Sequence, residues 1–141
     1  MGGISPKLPI SKSTSDGYAL TKTFLESSRQ NLKNLILTIP GERMMIPDFG
    51  VGIKRFLFQN HGPAVYSEIH SRIMNQVNTY MPFIAIEQME FFGPDGLWTA
   101  EEGLVDDTAV PDADANLLQI KIYFLVIPLD EGGTLDLDLE V

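Results

Sequence analysis

Counted from Thr23, the side chains Phe24, Leu25, Ser28, Leu32, Leu35 and Ile36 recur at three- and four-residue spacing, which predicts an amphipathic helix ending near Leu37. Arg29 and Lys33 fall on its polar side. The stretch 37–53, LTIPGERMMIPDFGVGI, cannot prolong that helix, because Pro40 removes a backbone donor and Gly41 favours a turn. Ile53, Phe56, Leu57 and Phe58 then make a short apolar segment directed back toward the core. QNHGP breaks the pattern, and Pro63 suits the first turn of a second helix. Val65, Ile69, Ile73, Val77 and Tyr80 form its apolar stripe. Pro82 ends it. Residues 83–92 alternate at Ile84 and Ile86 and then at Met89 or Phe91, a strand with an irregularity. Residues 117–127 alternate as a second strand, LDEGG turns the chain, and residues 134–140 set Leu135, Leu137 and Leu139 against Asp136, Asp138 and Glu140. The predicted class is α+β: two main helices followed by a three-stranded antiparallel β meander.

Composition changes this picture at the ends and in one loop. With 141 residues and 44% hydrophobic content, the chain is long enough for one domain with its own core. Residues 1–17, rich in Ser, Pro, Lys and Gly, read as a flexible N-terminal arm, leaving 18–141 as the domain. Residues 93–116 carry seven acids and no base, and read as a long solvated loop. The formal charge of −9 and the lack of a basic block argue against direct binding to nucleic acid. No apolar run approaches the roughly 20 residues of a membrane span, and the first residues lack the apolar stretch of a signal peptide, so a soluble protein made inside a cell is expected. The absence of Cys excludes disulfides, a thiolate nucleophile and Cys-type zinc sites.

Candidate chemistry is thin. His61 lies in a turn and His70 flanks the stripe of the second helix, neither with a partner at a metal-binding spacing. Asp112 to Asn116, DADAN, starts like a calcium loop, but Leu117 stands where a Gly is required and Tyr123 where a bidentate Glu is required. The alternating acids of 136–140 suit a solvated face or a guard on an edge strand. Glu42 and Asp48 raise the idea of a glycosidase pair, which needs a cleft and carboxyl groups about 5–9.5 Å apart. Arg43 beside Glu42 suggests an ion pair instead. No nucleophile elbow, phosphate loop or dinucleotide fingerprint is present. No cofactor or metal is expected.

The run 31–58, NLKNLILTIPGERMMIPDFGVGIKRFLF, resembles the signature of the baseplate wedge family of contractile-tail phages, whose relatives include the TssE component of type VI secretion. The matching features are the helix end, the Pro-Gly-Glu-Arg turn, the Pro-Asp-Phe-Gly corner and the following Leu-Phe, and the later elements follow the family's order from about residue 20 to 141. The resemblance implies a structural subunit of the tail baseplate, assembled in the host cytoplasm. Its implied partners are the other wedge proteins, the sheath and the tube or hub proteins. It also implies a β-platform accepting extended sheath arms by strand addition. Here that platform would be residues 117–127 with 134–140, including Leu135, Leu137 and Leu139, and its acids would favour a basic arm. Where many members carry Glu-Pro-Arg to grip the wedge core bundle, this chain reads Met81, Pro82, Phe83, so docking there must be apolar. Glu42, Arg43 and Asp48 are expected to fasten the corner or a wedge contact.

Two alternatives accompany this reading. The family has carried a lysozyme label, which keeps a peptidoglycan-cleaving enzyme in play, and the same fold could serve a cytoplasmic anti-adaptor regulator.

Overall fold

The computed structural model describes residues 2–15, 17–60, 62–93, 96–105 and 118–139; His61, the 112–116 run, Glu140 and Val141 lie outside them. The chain begins with two small antiparallel pairs, β1 (Ser5–Pro6) with β4 (Leu20–Thr21) and β2 (Lys12–Ser13) with β3 (Gly17–Tyr18). Lys7 reaches Glu26 at 2.9 Å. The Gln30 side chain brackets the same segment, donating to the Pro6 carbonyl at 2.9 Å and accepting from the Leu8 N–H at 2.8 Å.

Helix α1 (Phe24–Leu37) starts where expected, because the Thr23 hydroxyl accepts the Glu26 N–H at 3.2 Å and relieves one of the orphan donors of the first turn. It buries Ser27, Ser28, Leu32, Leu35 and Ile36. A 3-10 helix, Ile53–Phe58, buries Ile53 and Phe56. Helix α2 (Pro63–Tyr80) has Pro in its first turn and buries Tyr66, Ile69, Ile73 and Val77.

Behind the helices stands one antiparallel sheet of β5 (Ile84–Gly93), β6 (Gly96–Thr99), β7 (Gly103–Val105), β8 (Leu118–Val126) and β9 (Glu131–Leu139), ordered β7-β6-β5-β8-β9. Helix α1 packs on β9 and α2 on β5. Ile120, Ile122 and Phe124 of β8 and Leu135, Leu137 and Leu139 of β9 point into the layer between sheet and helices, the period-two pattern of a half-buried strand. Tyr66 stacks on Phe91 with centroids 5.7 Å apart, and Trp98 meets the Phe91 ring edge-on at 5.3 Å. Aromatic residues thus fill the β5–β6 end of the core.

The α+β class and the meander β5-β8-β9 follow the hydrophobic pattern, and the irregularity in the first strand is a register shift between Ile86 and Gln88. The sheet is wider than three strands. β6 and β7 come from the segment read as an acidic loop; its described acids Glu101 and Glu102 sit at the turn between them, while the strand sequences GLWT and GLV carry no charge. β9 begins at Glu131, inside the expected turn. Gly132 and Gly133 pair with Leu125 and Phe124, and a Cβ on Gly133 would come within 2.8 Å of the Phe124 ring and 3.1 Å of Leu25. Gly133 therefore permits close packing in a strand, and Asp130, at φ 52°, makes the turn. Phe58 is 82% exposed rather than turned inward.

Candidate functional site

The corner between α1 and the 3-10 helix is built almost wholly from its own main chain. Thr38 closes α1, its N–H and hydroxyl both donating to the Asn34 carbonyl at 3.0 and 2.6 Å. The loop is cinched by Gly41 N–H to the Pro47 carbonyl at 2.8 Å and tied back to the helix by Val51 N–H to Leu35 (3.1 Å) and Gly52 N–H to Thr38 (2.9 Å). Gly50 adopts φ 114°, and any Cβ there would collide with the Thr38 carbonyl, so the close approach of the two segments requires Gly. From α2, Gln76 clamps the far side, accepting from Gly50 N–H at 2.9 Å and donating to the Asp48 carbonyl at 3.0 Å.

The charged residues of the corner have separate places. The Glu42 carboxylate accepts the Ile39 N–H at 3.0 Å while its own N–H donates to the Ile39 carbonyl, so it pins the turn on which it sits. The Arg43 guanidinium lies 3.9 Å from the centre of the Phe49 ring, and that ring meets Tyr80 edge-on at 5.0 Å. Glu42 and Arg43 do not pair with each other: the ion pairs among the described residues are Lys7–Glu26 and Glu68–Arg72. The Asp48 side chain is exposed, and only its carbonyl is held. Both carboxylates stand on an outward turn and neither lines the clefts described below.

The α2–β5 junction places Met81 in the core, Pro82 in solvent and Phe83 at the boundary. Phe83 packs on Phe24 with centroids 5.6 Å apart, and its carbonyl accepts the Ile127 N–H at 3.0 Å. Phe24, Ile127 and Leu129 are also exposed, so the surface of this end is apolar.

At the other candidate surface, Leu135, Leu137 and Leu139 belong to the core, leaving Asp136 and Asp138 on the outward face opposite Lys121 and Gln119. What β9 offers a partner is therefore main chain. It ends the strand order, with β8 on one side and no strand on the other among the described residues. A cleft of about 680 Å³ runs beside it, lined by Lys7, Gln30, Lys33, Thr134 and Asp136 among others.

His70 is half-buried with its ring 6.1 Å from that of Trp98, and burial pushes its imidazole below the ordinary value. It borders a cleft of about 330 Å³ with Glu87, Glu90, Glu101 and Glu102. Among the described residues no three His, Asp or Glu side chains gather as a metal-holding group. No described helix is long and apolar enough to cross a membrane.

Sequence reasoning missed Met44 and Met45, which are 95% and 94% exposed at the tip of the corner. The available signal was two adjacent Met between Pro40 and Pro47 without a helical or strand period to bury them.

Fold and surfaces define a two-layer α+β domain whose distinguishing features are a braced corner and a one-sided sheet edge. The chain belongs to the family described as Baseplate wedge protein gp25, whose model matches residues 23–127, from the N-cap of α1 to the end of β8. Among solved structures it resembles a chain of the anti-feeding prophage baseplate (24% identity, covering 89% of this chain and 86% of that one, TM-score 0.65). It also resembles a Geobacter sulfurreducens protein named as a candidate tail lysozyme (21% identity, covering 87% and 96%, TM-score 0.61). At these identities the two structures speak for the fold. Comparison with curated proteins gives no match.

Proposed function

We propose that the protein is a structural baseplate wedge subunit of a contractile phage tail or phage-like injection particle, and not an enzyme. The observation that carries this reading is the family match across the helices, the corner and four of the sheet's five strands. In this reading the subunit is assembled in the bacterial cytoplasm and sits in the tail baseplate. It contacts other wedge proteins through the corner (Glu42, Arg43, Asp48) and the apolar junction (Met81, Pro82, Phe83), and receives sheath arms along β9. Tube or hub proteins are further neighbours. The open edge of β9 supports the sheath contact, since an added strand would satisfy main-chain groups that have no strand partner among the described residues. The outward Asp136 and Asp138 favour a basic arm.

Mass spectrometry of purified tail particles tests this: the chain should be present in the baseplate fraction. Its absence there, with a partner outside any tail instead, would support the reading as an anti-adaptor or other cytoplasmic regulator. The candidate-lysozyme name of one structural neighbour is the observation behind the enzymatic reading. Against it, the Glu42 carboxylate is engaged by the Ile39 N–H and both candidate carboxylates stand on an open turn. Purified protein should leave peptidoglycan intact. Cleavage that is lost in Glu42→Gln or Asp48→Asn would overturn the structural assignment.

A further inference from the structure

The corner presents its most apolar atoms where water has fullest access. Met44 and Met45 are almost wholly exposed and Ile46 is 43% exposed, a contiguous apolar tip. The base beneath it is held by the Gly41–Pro47 closure, the Glu42–Ile39 exchange and the Gln76 clamp. A loop braced to this degree, yet carrying two long thioether side chains into solvent, is built to hold them out for a partner.

The charges around the tip indicate what the partner looks like. Arg43 flanks it in sequence, and Arg55 reaches back to the Pro40 carbonyl at 3.4 Å. Neither guanidinium is ion-paired among the described residues. In 37–58 the charges are Arg43, Lys54 and Arg55 against Glu42 and Asp48, net +1, whereas the rest of the chain holds 7 basic and 17 acidic residues, net −10. The tip is thus an apolar projection of near-neutral charge on an acidic molecule, with two guanidiniums free of ion pairs among the described residues.

We propose that Met44 and Met45 form a plug that inserts into an apolar groove of another baseplate subunit, a groove rimmed by Asp or Glu that meets Arg43 and Arg55. The inference rests on the structural reading above and adds residues, chemistry and geometry to it. Thioethers fill irregular apolar gaps well, and the guanidiniums set the orientation through charge-assisted hydrogen bonds to carboxylates.

Peroxide footprinting tests the plug with internal controls, because Met81 and Met89 are buried in the core. In the isolated chain Met44 and Met45 should oxidise quickly and Met81 and Met89 slowly. In assembled particles the rates at Met44 and Met45 should fall at least tenfold while the buried pair is unchanged. Equal rates at the tip in both states would overturn the plug although the subunit is in the particle; absence of the subunit from particles would sink this inference and the structural reading together. The Met44→Gln/Met45→Gln variant should keep the wild-type melting temperature and enter particles at least tenfold less than wild type, with Met44→Leu/Met45→Leu restoring entry. Undiminished entry of the Gln variant counts against the plug. Photo-methionine in assembled particles should crosslink the tip to an apolar segment of a different baseplate subunit flanked by Asp or Glu. Crosslinks between copies of this chain, or into a basic segment, would overturn the partner's stated chemistry.

Discussion

Gly50 and Gly41 both have positive φ, 114° and 95°, yet they differ in what surrounds them. A Cβ at Gly50 would strike the main chain of Thr38, which is itself fixed by two hydrogen bonds to Asn34, while Gly41 has nothing within 4 Å. Gly41→Ala should therefore cost only its backbone strain, about 1 kcal/mol, whereas Gly50→Ala should cost roughly 3 kcal/mol or more because two segments must separate. Urea unfolding monitored at Trp98 reads both; equal losses would mean that the corner is not close-packed at Gly50. A second residue-scale prediction concerns His70. Its native pKa is depressed by burial, so below an ordinary value of 6.5 the unfolded chain takes up a proton that the folded chain resists. The unfolded state then binds more protons, and stability falls as pH drops from about 6.5 toward the native pKa. This should make His70→Gln lose less melting temperature than wild type between pH 7 and pH 5.5. Parallel curves would show that His70 does not carry the effect. Glu26, lowered first by its hydrogen bond to Lys7, loses its contribution only at more acid pH, below an ordinary 4.5.

At the scale of elements, both helices were legible in the sequence because each keeps its period over more than three turns and starts at a recognisable signal, Thr23 or Pro63. β8 was legible for a related reason: strict alternation over nine residues leaves one register. The strands β6 and β7 were not, since four and three residues are too short to show a period and the nearby acids dominated the reading. The start of β9 was hidden because Gly132 and Gly133 signal a turn locally, whereas the rings and side chains that press on Gly133 come from β8 and α1. The candidate surfaces divide in the same way. The corner was visible from Pro40, Gly41, Pro47 and Gly50, but Gln76, its brace, lies 26 residues beyond Gly50 and no local pattern links them. Replacing Gln76 by Ala should cost about 2 kcal/mol, two hydrogen bonds at roughly 1 kcal/mol each, measured by urea unfolding. For β9, Asp136→Lys/Asp138→Lys is the appropriate probe of sheath capture. Both side chains are exposed, so stability should change by about 0.5 kcal/mol or less per site, while baseplates carrying the variant should nucleate sheath poorly in electron micrographs. Normal sheath would count against a basic arm on this face. Deleting 134–141 would be ambiguous, because it removes three core leucines as well as the edge.

For the whole molecule, the question is how much of the chain the fold needs. The buried hydrophobic core begins at Leu32 and draws on α1, the corner, the 3-10 helix, α2 and four of the five sheet strands, with no side chain from residues 2–13 among its described members. That segment is nevertheless attached. Its main chain pairs at Ile4 and Lys7 with Thr21 and Ala19, Gln30 brackets Pro6 and Leu8, and the buried Thr21 hydroxyl donates to the Ser5 carbonyl at 3.1 Å. Each such hydrogen bond stabilises only modestly, and the Lys7–Glu26 pair, exposed on both sides, is screened by solvent. Against these stands the conformational entropy lost in ordering the segment. The two terms oppose each other and no described core side chain comes from the arm, so its removal should change stability little. Removing residues 1–13 should leave a cooperatively folding domain whose melting temperature is within about 4 °C of wild type. The Thr21 hydroxyl, freed from Ser5, would then meet water in place of the arm. A loss of cooperative unfolding would make the arm an integral part of the domain. Retention of the fold would leave the arm's interactions with α1 available for exchange during assembly, where the cleft of Lys7, Gln30 and Lys33 beside β9 could widen as the segment departs. Amide exchange along β9 distinguishes the two: with the arm removed, protection of the β8-paired amides should persist, because Leu135, Leu137 and Leu139 still anchor that strand in the core.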